Sequence, residues 1–344
     1  MKTYHPLREL TLARLREFLR EPEAVFWTFG FPLMLAVGLG IAFRDRPIEI
    51  VRVDVQQAER AQDVVAQLSS RNDVVVALHG EAECRERLRT GKSALVVVPG
   101  DPITFVFDPS RPESALARAR VDDILQRAAG RHDPVRTADA RVTEPGSRYI
   151  DFLVPGLLGM NLMGGSMWGV GFAIVDMRVK KLLKRLAATP MTRTNFLWSL
   201  AGSRLLFMLP EVAVILGTGM LLFGMPIRGS WMAILTLAIL GAVSFAGLGM
   251  LAACRAQRIE TVSGLMNFIM VPMWLLSGIF FSSERFPALL QPLVQALPLT
   301  QLNDALRAVI LEGAPLASQG WRVLGLVAWG AVPFTLALRW FRWN

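Results

Sequence analysis

Six long apolar segments constrain this chain more than any other feature of its sequence. They cover residues 25–43, 152–175, 196–223, 231–253, 262–281 and 323–341. A helix needs about 20 apolar residues to cross a hydrocarbon core about 30 Å thick, and each segment is close to that length. The chain is also 53% hydrophobic and only 19% charged, as is typical of membrane proteins. The sequence therefore predicts an α-helical integral membrane protein with six transmembrane helices.

The basic residues of the short loops predict the orientation of these helices. Lys and Arg cluster in the N-terminal arm, after the second run, after the fourth run and near the C-terminus, whereas the turn after the third run holds only Arg228. Cytoplasmic loops are enriched in Lys and Arg, so both termini should be cytoplasmic in the inner membrane of a prokaryote. Membrane orientation then explains the net charge of +9, and nucleic acid is not expected as a partner.

The first apolar run has a second interpretation, a cleaved signal peptide. It lacks a small-residue cleavage site and continues directly into Arg44, Asp45 and Arg46, which favours a permanent transmembrane helix over residues 23–43. Residues 1–22 place their leucines on one helical arc and most of their charges opposite. They should form a cytoplasmic interfacial amphipathic helix, which acts either as a topology anchor or as a helix that transmits motion.

One loop, residues 44–147, is too long and too evenly charged to be a simple connection. Its basic and acidic residues are nearly equal in number, and its hydrophobic pattern alternates between strand and helix periods. Strands are expected at residues 48–55, 73–79, 93–99, 103–108 and 135–142, and helices at residues 58–70, 81–89 and 112–130. The pattern predicts an extracytoplasmic α/β domain between transmembrane helices 1 and 2, and residues 148–344 should hold the other five helices.

Enzyme chemistry finds little support in this sequence. Gly91-Lys92-Ser93 resembles the end of a phosphate-binding loop, but Glu86 occupies the place of the first required glycine and the triplet precedes a strand. The three histidines are scattered, and Cys84 and Cys254 should lie on opposite sides of the membrane. We therefore expect no catalytic residues, no metal site, no cofactor and no internal disulfide in this chain.

A short basic segment follows the second apolar run. Residues 180–190 place Leu182, Leu183 and Leu186 on one side of a helix and four basic residues on the other, and Pro190 ends that helix. A loop that only sets orientation needs lysines but does not need them separated from leucines. This amphipathic pattern favours a helix that docks in a groove of a cytoplasmic partner.

The same segment resembles a motif of ATP-binding-cassette (ABC) transporter permeases of the type-2 exporter family. That motif, Glu-Arg-Gly-Thr-Leu-Glu-Arg-Leu-Leu-Ala-Thr-Pro, lies between the second and third helices. Residues 179–190, VKKLLKRLAATP, keep its core but replace both acidic residues, by Val179 and Lys184. The resemblance implies a coupling helix at about 180–190, and the replacements predict an acidic partner surface. The implied ATPase-coupling residues are Leu182, Leu183, Lys184, Arg185, Leu186, Thr189 and Pro190.

A second resemblance follows the fifth apolar run. The sequence LLSGIFFSSERFPALLQPLVQALPLTQLNDALRAVI is similar to the family's Ser-Gly-x-Phe-Phe-Pro segment and its later Asn-Pro-Leu-Thr and Ala-Leu-Arg, with Ser282 and Leu297 in place of Pro and Asn. The resemblance implies a re-entrant segment at about 284–312 on the outer face. The implied residues of this outer segment are Phe280, Phe281, Pro298, Thr300 and Arg307. A surface loop is the alternative, which the many apolar residues disfavour.

Together these resemblances imply the membrane permease subunit of an ABC exporter, of the branch that exports drugs, lipid-like amphiphiles or ions. The implied partners are a cytoplasmic ABC ATPase subunit that binds ATP and Mg²⁺, a second permease subunit in a homo- or heterodimer, and membrane lipid. An alternative from another class is a membrane-anchored receptor or sensor whose outer domain binds a ligand. An adjacent gene for a soluble ATPase would distinguish the two.

Three polar residues inside apolar runs are candidates for a substrate pathway: Glu211, Asn161 and Asn267. An unpaired carboxylate within a bilayer costs roughly 2.5 kcal/mol or more, so Glu211 should face the bundle interior or water. A structural pair between helices is the alternative for Glu211, and amides often only bridge helices. For Arg204, on the same helical face, extension to the cytoplasmic surface is the alternative. The second run is rich in glycine, and its Gly165-x-x-x-Gly169 predicts close helix packing first and a dimer contact second.

Overall fold

The computed structural model describes residues 16, 20, 22–42, 50–71, 73–132, 146, 148–188 and 192–341. The chain divides into two compact units. The membrane unit comprises residues 1–44 and 142–344, and the α/β unit comprises residues 45–141. The predicted strand at residues 135–142 lies outside the described residues, as does most of the predicted interfacial helix at residues 1–22.

The first helix of the membrane unit is α-helical at Pro22–Val25, π-helical at Phe26–Gly30 and α-helical again at Phe31–Ala42. Its apolar part, Phe26–Ala42, is labelled α1. At 1.5 Å per residue this apolar helix is roughly 25 Å long. It is therefore shorter than the five helices described below that are long and apolar enough to cross a membrane. The predicted sixth transmembrane helix stays a prediction.

The α/β unit is built on a four-stranded sheet. Its elements in chain order are β1 (Val51–Gln56), α2 (Ala61–Ser69), β2 (Val74–His79), α3 (Glu81–Arg89), β3 (Leu95–Val98), β4 (Thr104–Val106) and α4 (Pro112–Ala128). The strand order is β2-β1-β3-β4, with β1 parallel to both neighbours and β4 antiparallel to β3. These elements lie within or beside the ranges that the hydrophobic pattern predicts.

Alternation along β1 separates the two faces of this sheet. Val53 and Val55 are fully buried and pack with residues of α2 and α4, such as Leu68 and Val121. Successive residues of a strand point to opposite faces, so Asp54 lies on the other face, where α3 covers it. There the Arg87 guanidinium donates a hydrogen bond of 2.8 Å to the buried Asp54 carboxylate, and this bond raises the pKa of Arg87.

Five helices of the described membrane unit are long and apolar enough to cross a membrane. In chain order the elements after α4 are α5 (Tyr149–Val179), α6 (Leu182–Ala187), α7 (Arg193–Phe223), α8 (Trp231–Ala253), α9 (Ile259–Leu276), α10 (Gln291–Ala296), α11 (Pro298–Glu312) and α12 (Gly320–Trp340). The five are α5, α7, α8, α9 and α12, the last with the preceding turn Leu316–Gln319. About two thirds of the apolar windows of α5 and α8 are buried, against 22% for α9 and α12, so α5 and α8 form the centre.

Several predicted helix ends differ from the structure by three to five residues, and two of the differences have a local cause. The second run was expected at 152–175, but α5 begins at Tyr149 because the Arg148 and Asp151 side chains form a reciprocal cap at its start. The fifth run was expected to reach Phe281, but α9 ends at Leu276 and Gly278 then takes a positive φ of 69°. Hydropathy detects apolar composition and does not detect such caps and turns.

Glycines bring the backbones of the central helices together. A Cβ on Gly249 of α8 would lie 2.7 Å from the Met167 carbonyl oxygen of α5, and one on Gly247 would lie 2.9 Å from the Gly330 carbonyl oxygen of α12. Small residues allow such close approach between membrane helices. Helix α8 therefore contacts α5 on one side and α12 on the other through positions that exclude any side chain.

We expect the substitution Gly249→Ala to destabilise the membrane unit by about 1–3 kcal/mol, because backbone atoms of α5 must move to admit the new methyl group. Gly264→Ala in α9 is the matched control, since a Cβ there would meet no atom within 4 Å. Reversible unfolding in mixed detergent micelles measures both effects. Equal stability of the two variants would contradict the close contact at Gly249.

Candidate functional site

The segment predicted to couple to an ATPase forms a short helix, α6, directly after α5. The two helices meet at Lys181, whose φ of 57° is a left-handed conformation that only this non-glycine residue adopts within the described chain. Lys184 and Arg185 are exposed on α6, whereas Leu183 is fully buried in the core of the membrane unit. Leu183 therefore anchors α6 to the core of the membrane unit, while Lys184 and Arg185 remain accessible to solvent.

The three leucines that the sequence places on one side of α6 differ in exposure. Leu183 is buried, Leu186 packs partly against the same core, and Leu182 is 37% exposed. The sharp turn at Lys181 aims α6 back at the membrane unit, and helical periodicity alone cannot reveal that direction. Leu183 is thus occupied within the chain, and of the leucines Leu182 is the most accessible to a partner. Thr189 and Pro190 lie outside the described residues.

Arg178, near the end of α5, joins three helix ends. Its guanidinium donates hydrogen bonds of 3.0 Å to the carbonyl oxygens of Ala253 and Cys254, and a further one to the carbonyl oxygen of Ala256. The last carbonyls of a helix have no intrahelical partner, and arginine often satisfies them. Arg178 also lies 5.9 Å from the ring centroid of Phe341, just after α12. The base of α6 is therefore tied to the ends of α8 and α12.

Glu211 forms a buried ion pair within α7. Both Arg204 terminal nitrogens lie 2.5 Å from the Glu211 carboxylate oxygens, and the Arg204 Nε donates a hydrogen bond of 2.9 Å to Ser166 Oγ of α5. Glu211 is fully buried and Arg204 is 5% exposed. Arg204 thus does not extend to the membrane surface, and Glu211 is paired inside its own helix while its partner bridges to α5.

Two residues around this pair shape the helix packing. Pro210 lies inside α7 between the paired residues, and proline removes the backbone hydrogen bond to the carbonyl four residues earlier. Gly165 of α5 leaves the space for the guanidinium, since a Cβ there would lie 2.6 Å from an Arg204 nitrogen. A Cβ on Gly169 would meet nothing within 4 Å. Within this chain, the predicted glycine motif therefore contacts a neighbouring helix at Gly165.

The two candidate asparagines lie apart from this pair. Asn161 of α5 donates a hydrogen bond of 3.3 Å to the Thr28 carbonyl oxygen in α1, which bridges the two helices. Asn267 is exposed on α9, whereas Glu211 is buried between α5 and α7. The structure therefore does not gather the three predicted pathway residues into one site.

The predicted outer segment contains two helices, of which the short α10 buries only Val294 and the longer α11 is buried along most of its length. Almost every side chain of residues 298–310 in α11 is buried, including Pro298 and Thr300. The Arg307 guanidinium lies 3.6 Å from the Phe152 ring centroid of α5 and donates hydrogen bonds to the carbonyl oxygens of Phe152 and Gly278, at 3.2 and 2.5 Å. Arg307 thus attaches α11 both to α5 and to the turn after α9.

Phe280 and Phe281 lie in that turn and are 37% and 40% exposed. The Tyr149 hydroxyl at the start of α5 donates a hydrogen bond of 3.0 Å to the Phe280 carbonyl oxygen. Asn303 of α11 donates a hydrogen bond of 3.1 Å to the Ser277 carbonyl oxygen. The turn is therefore held on two sides while its two aromatic side chains stay accessible.

Sequence reasoning missed the structural roles of Arg178, Ser166, Tyr149 and Asn303. The sequence pattern presents Arg178 only as one of several basic residues that predict the orientation of the helices in the membrane. A signal was present in its position, since it precedes the other loop charges and falls within the last turn of α5. Ser166, Tyr149 and Asn303 carry no comparable signal, because their partners are far away along the chain.

These features together define a class of protein: a multi-pass helical membrane protein with an inserted α/β unit and a basic helix at one end of its central bundle. The sequence profile described as "ABC-2 family transporter protein" matches residues 23–339. The chain belongs to this family, as its two motifs predict. It is a membrane permease subunit of an ABC transporter.

Curated relatives agree with this assignment. The "Probable multidrug ABC transporter permease YbhS" of Escherichia coli K12 is 23% identical over 370 residues, which cover 99% of this chain and 97% of the relative. The "Inner membrane transport permease YadH" of the same strain is 25% identical over 201 residues, which cover 56% of this chain and 77% of the relative. The "ABC transporter G family member 20" of Dictyostelium discoideum is 26% identical over 189 residues, 54% of this chain and 25% of the relative.

Proposed function

We propose that this permease subunit moves its substrate outward with energy from ATP that a separate cytoplasmic subunit hydrolyses. The ATPase subunit would bind ATP and Mg²⁺, and this chain would hydrolyse nothing. The anchored basic helix α6 carries the proposal, because Leu183 holds it in the core while Lys184 and Arg185 remain exposed for a partner. Substrates would be drugs, lipid-like amphiphiles or ions, and a second permease subunit, identical or related, would complete the path.

The proposed topology has six transmembrane helices, with α1 as the first and both termini in the cytoplasm. The basic loops support this orientation, since the residues around α6 and those after α8 fall on the same side. The α/β unit would then be extracytoplasmic. Helix α1 is short, but a short helix can span a bilayer that thins locally. Flanking basic side chains can also extend from the helix ends to the membrane surface.

We propose that force applied to α6 spreads through its ties to neighbouring helices. Arg178 connects the base of α6 to the ends of α8 and α12. The Arg204 contact with Ser166 connects α5 to α7. Displacement of α6 would therefore change the packing of four helices together, and substrate would leave past the outer segment with Phe280, Phe281, Pro298, Thr300 and Arg307.

Glu211 remains the leading residue for the substrate pathway in this proposal, with Asn161 and Asn267 as further candidates. Its charge is neutralised by Arg204 in the present conformation. Bending of α7 at Pro210, which lies between the two paired residues, would open the pair and expose the carboxylate. Membership of a permease family argues against the receptor alternative, which assigns no role to α6 or to this ion pair.

The direction of transport is tested by reconstitution with the ABC ATPase that co-purifies with the chain from its native membranes. We expect that Mg-ATP supplied on the side of α6 drives a fluorescent amphiphilic dye away from that side. ATP on the opposite side should drive no transport. Dye movement towards the ATPase side would contradict export, and failure of any ATPase to co-purify would contradict the proposed energy source.

A further inference from the structure

The α/β unit contains a cavity that the transport proposal does not use. Its volume is about 250 Å³. Three chain segments form its wall: the start of β1 with Ile50 and Arg52, the loop after α3 with Gly91 and Lys92, and the start of α4. Drug-sized ligands occupy cavities of about 300–1,000 Å³. The cavity therefore suits a smaller molecule.

The charges on this wall are unbalanced. Arg52, Lys92 and Arg111 line the cavity, against a single carboxylate, Glu113. Arg111 is already bound, with its Nε 3.1 Å and one terminal nitrogen 2.5 Å from the same Glu113 oxygen. Within the described part of the α/β unit, the side chains of Arg52 and Lys92 form no hydrogen bond or ion pair. Two cations that no ion pair holds in place therefore line the cavity, although the Glu86 carboxylate is near enough to Lys92 to interact with its charge.

The backbone of the wall adds to this positive potential. Helix α4 begins at Pro112 and runs to Ala128, and the first N–H groups of a helix carry a partial positive charge. Gly91 has a φ of +74°, and a Cβ there would lie 3.3 Å from an Arg111 terminal nitrogen. The glycine therefore leaves room for the Arg111 guanidinium on the wall.

Apolar side chains lie beside these cations. Ile50 is 56% exposed and Leu116 is 39% exposed, and both line the same cavity. Exposed apolar residues are common singly, but here two of them share one concave wall with two unpaired cations. The wall is chemically complementary to a molecule with an anionic head and a short apolar tail.

We propose that this cavity binds a small amphiphilic anion. The anionic head, a phosphate, sulfonate or carboxylate, lies between Arg52 and Lys92, and the tail lies against Ile50 and Leu116. The inference rests on the α/β unit alone and does not depend on the direction of transport. Such a site would let the unit sense or select anionic amphiphiles independently of the membrane helices.

The test uses the full chain in nanodiscs of zwitterionic phosphatidylcholine, with hexyl phosphate as the probe and empty nanodiscs as the blank. Calorimetry should show hexyl phosphate binding at least tenfold more tightly than inorganic phosphate or hexanol. Only the ester can contact the cationic and the apolar side chains of the cavity together. Its affinity should fall with added salt, as expected for a charge-dependent site. Binding that matches the empty nanodiscs would overturn the proposal.

Substitutions separate this cavity from general surface charge. Arg52→Gln with Lys92→Gln should weaken hexyl phosphate at least tenfold, and Leu116→Gln should remove the advantage over inorganic phosphate. The matched control, Arg60→Gln with Arg85→Gln, removes two exposed charges that do not line the cavity and should change affinity less than twofold. Unchanged affinity in the first pair, or an equal loss in the control, would overturn the assignment.

A further arm identifies the natural source of the anion. The titration is repeated with the wild-type chain in nanodiscs that contain phosphatidylglycerol. A lower apparent affinity for hexyl phosphate, lost in the Arg52→Gln and Lys92→Gln pair, would assign the cavity to a lipid headgroup. An unchanged affinity would assign it to a soluble anion. Either result supports the site, because both require binding that depends on Arg52 and Lys92.

Discussion

Replacing Glu211 by Gln should destabilise the membrane unit by roughly 3–5 kcal/mol, because the change leaves the buried Arg204 guanidinium without its countercharge. The ion pair therefore makes the stability of the membrane unit sensitive to this position, apart from any effect on transport. The matched control is Glu260→Gln, on an exposed position of α9, for which a change within about 0.5 kcal/mol is expected. Reversible unfolding in mixed micelles measures both, and equal stability would contradict a buried pair.

Removing both charges separates the structural role of the pair from a role in transport. Arg204→Met with Glu211→Leu should recover most of the lost stability, since apolar replacements of a buried ion pair are often neutral or stabilising. If Glu211 lines the pathway, this stable variant should still lose most ATP-driven transport. A stable double variant with wild-type transport would remove Glu211 from the pathway and leave the pair a purely structural role.

The second large effect is expected at α6. Lys184→Glu with Arg185→Glu should reduce stimulation of the partner ATPase at least tenfold, because acidic side chains would face the acidic surface predicted for that partner. Folding should be unaffected, since both residues are exposed. The measurement compares ATP hydrolysis by the assembled complex with hydrolysis by the ATPase alone.

Two controls accompany this charge reversal. Arg258→Glu changes an exposed residue at the start of α9, on the same predicted side of the membrane, and should leave most of the stimulation intact. Leu183→Glu would bury a carboxylate in the core, so its effect would report on folding and not on docking. Full stimulation in the Lys184 and Arg185 variant would contradict a charge-complementary contact.

Much of the architecture could be predicted from the sequence because local patterns encode it. The apolar runs locate α5, α7, α8, α9 and α12, and alternation of buried valines locates β1 of the α/β unit. The Leu-x-Arg-Leu-x-Ala-Thr-Pro core predicts the permease family. Each of these signals lies within a window of about a dozen residues, where the periodicity of helix and strand determines which side chains are buried.

The remaining features could not be predicted because they depend on contacts between distant parts of the chain. Arg204 contacts Ser166 of α5, which lies 38 residues earlier in the chain, and Arg307 contacts Phe152, which lies 155 residues earlier. By helical periodicity Leu183 is equivalent to Leu182 and Leu186. The left-handed turn at Lys181 directs Leu183 into the core. Sequence patterns singled out Arg204, Arg307 and Leu183, but only the packing shows what each one contacts.

The central claim is that energy from ATP enters this chain at α6, and cysteine cross-linking tests it most directly. Arg185→Cys places a reactive thiol on the exposed face of α6, and the native Cys84 and Cys254 are buried, so they add little background. In an actively transporting complex, this thiol should cross-link to the ATPase subunit, with a yield that changes when ATP binds. The absence of that cross-link from a complex that still transports its substrate would contradict the account.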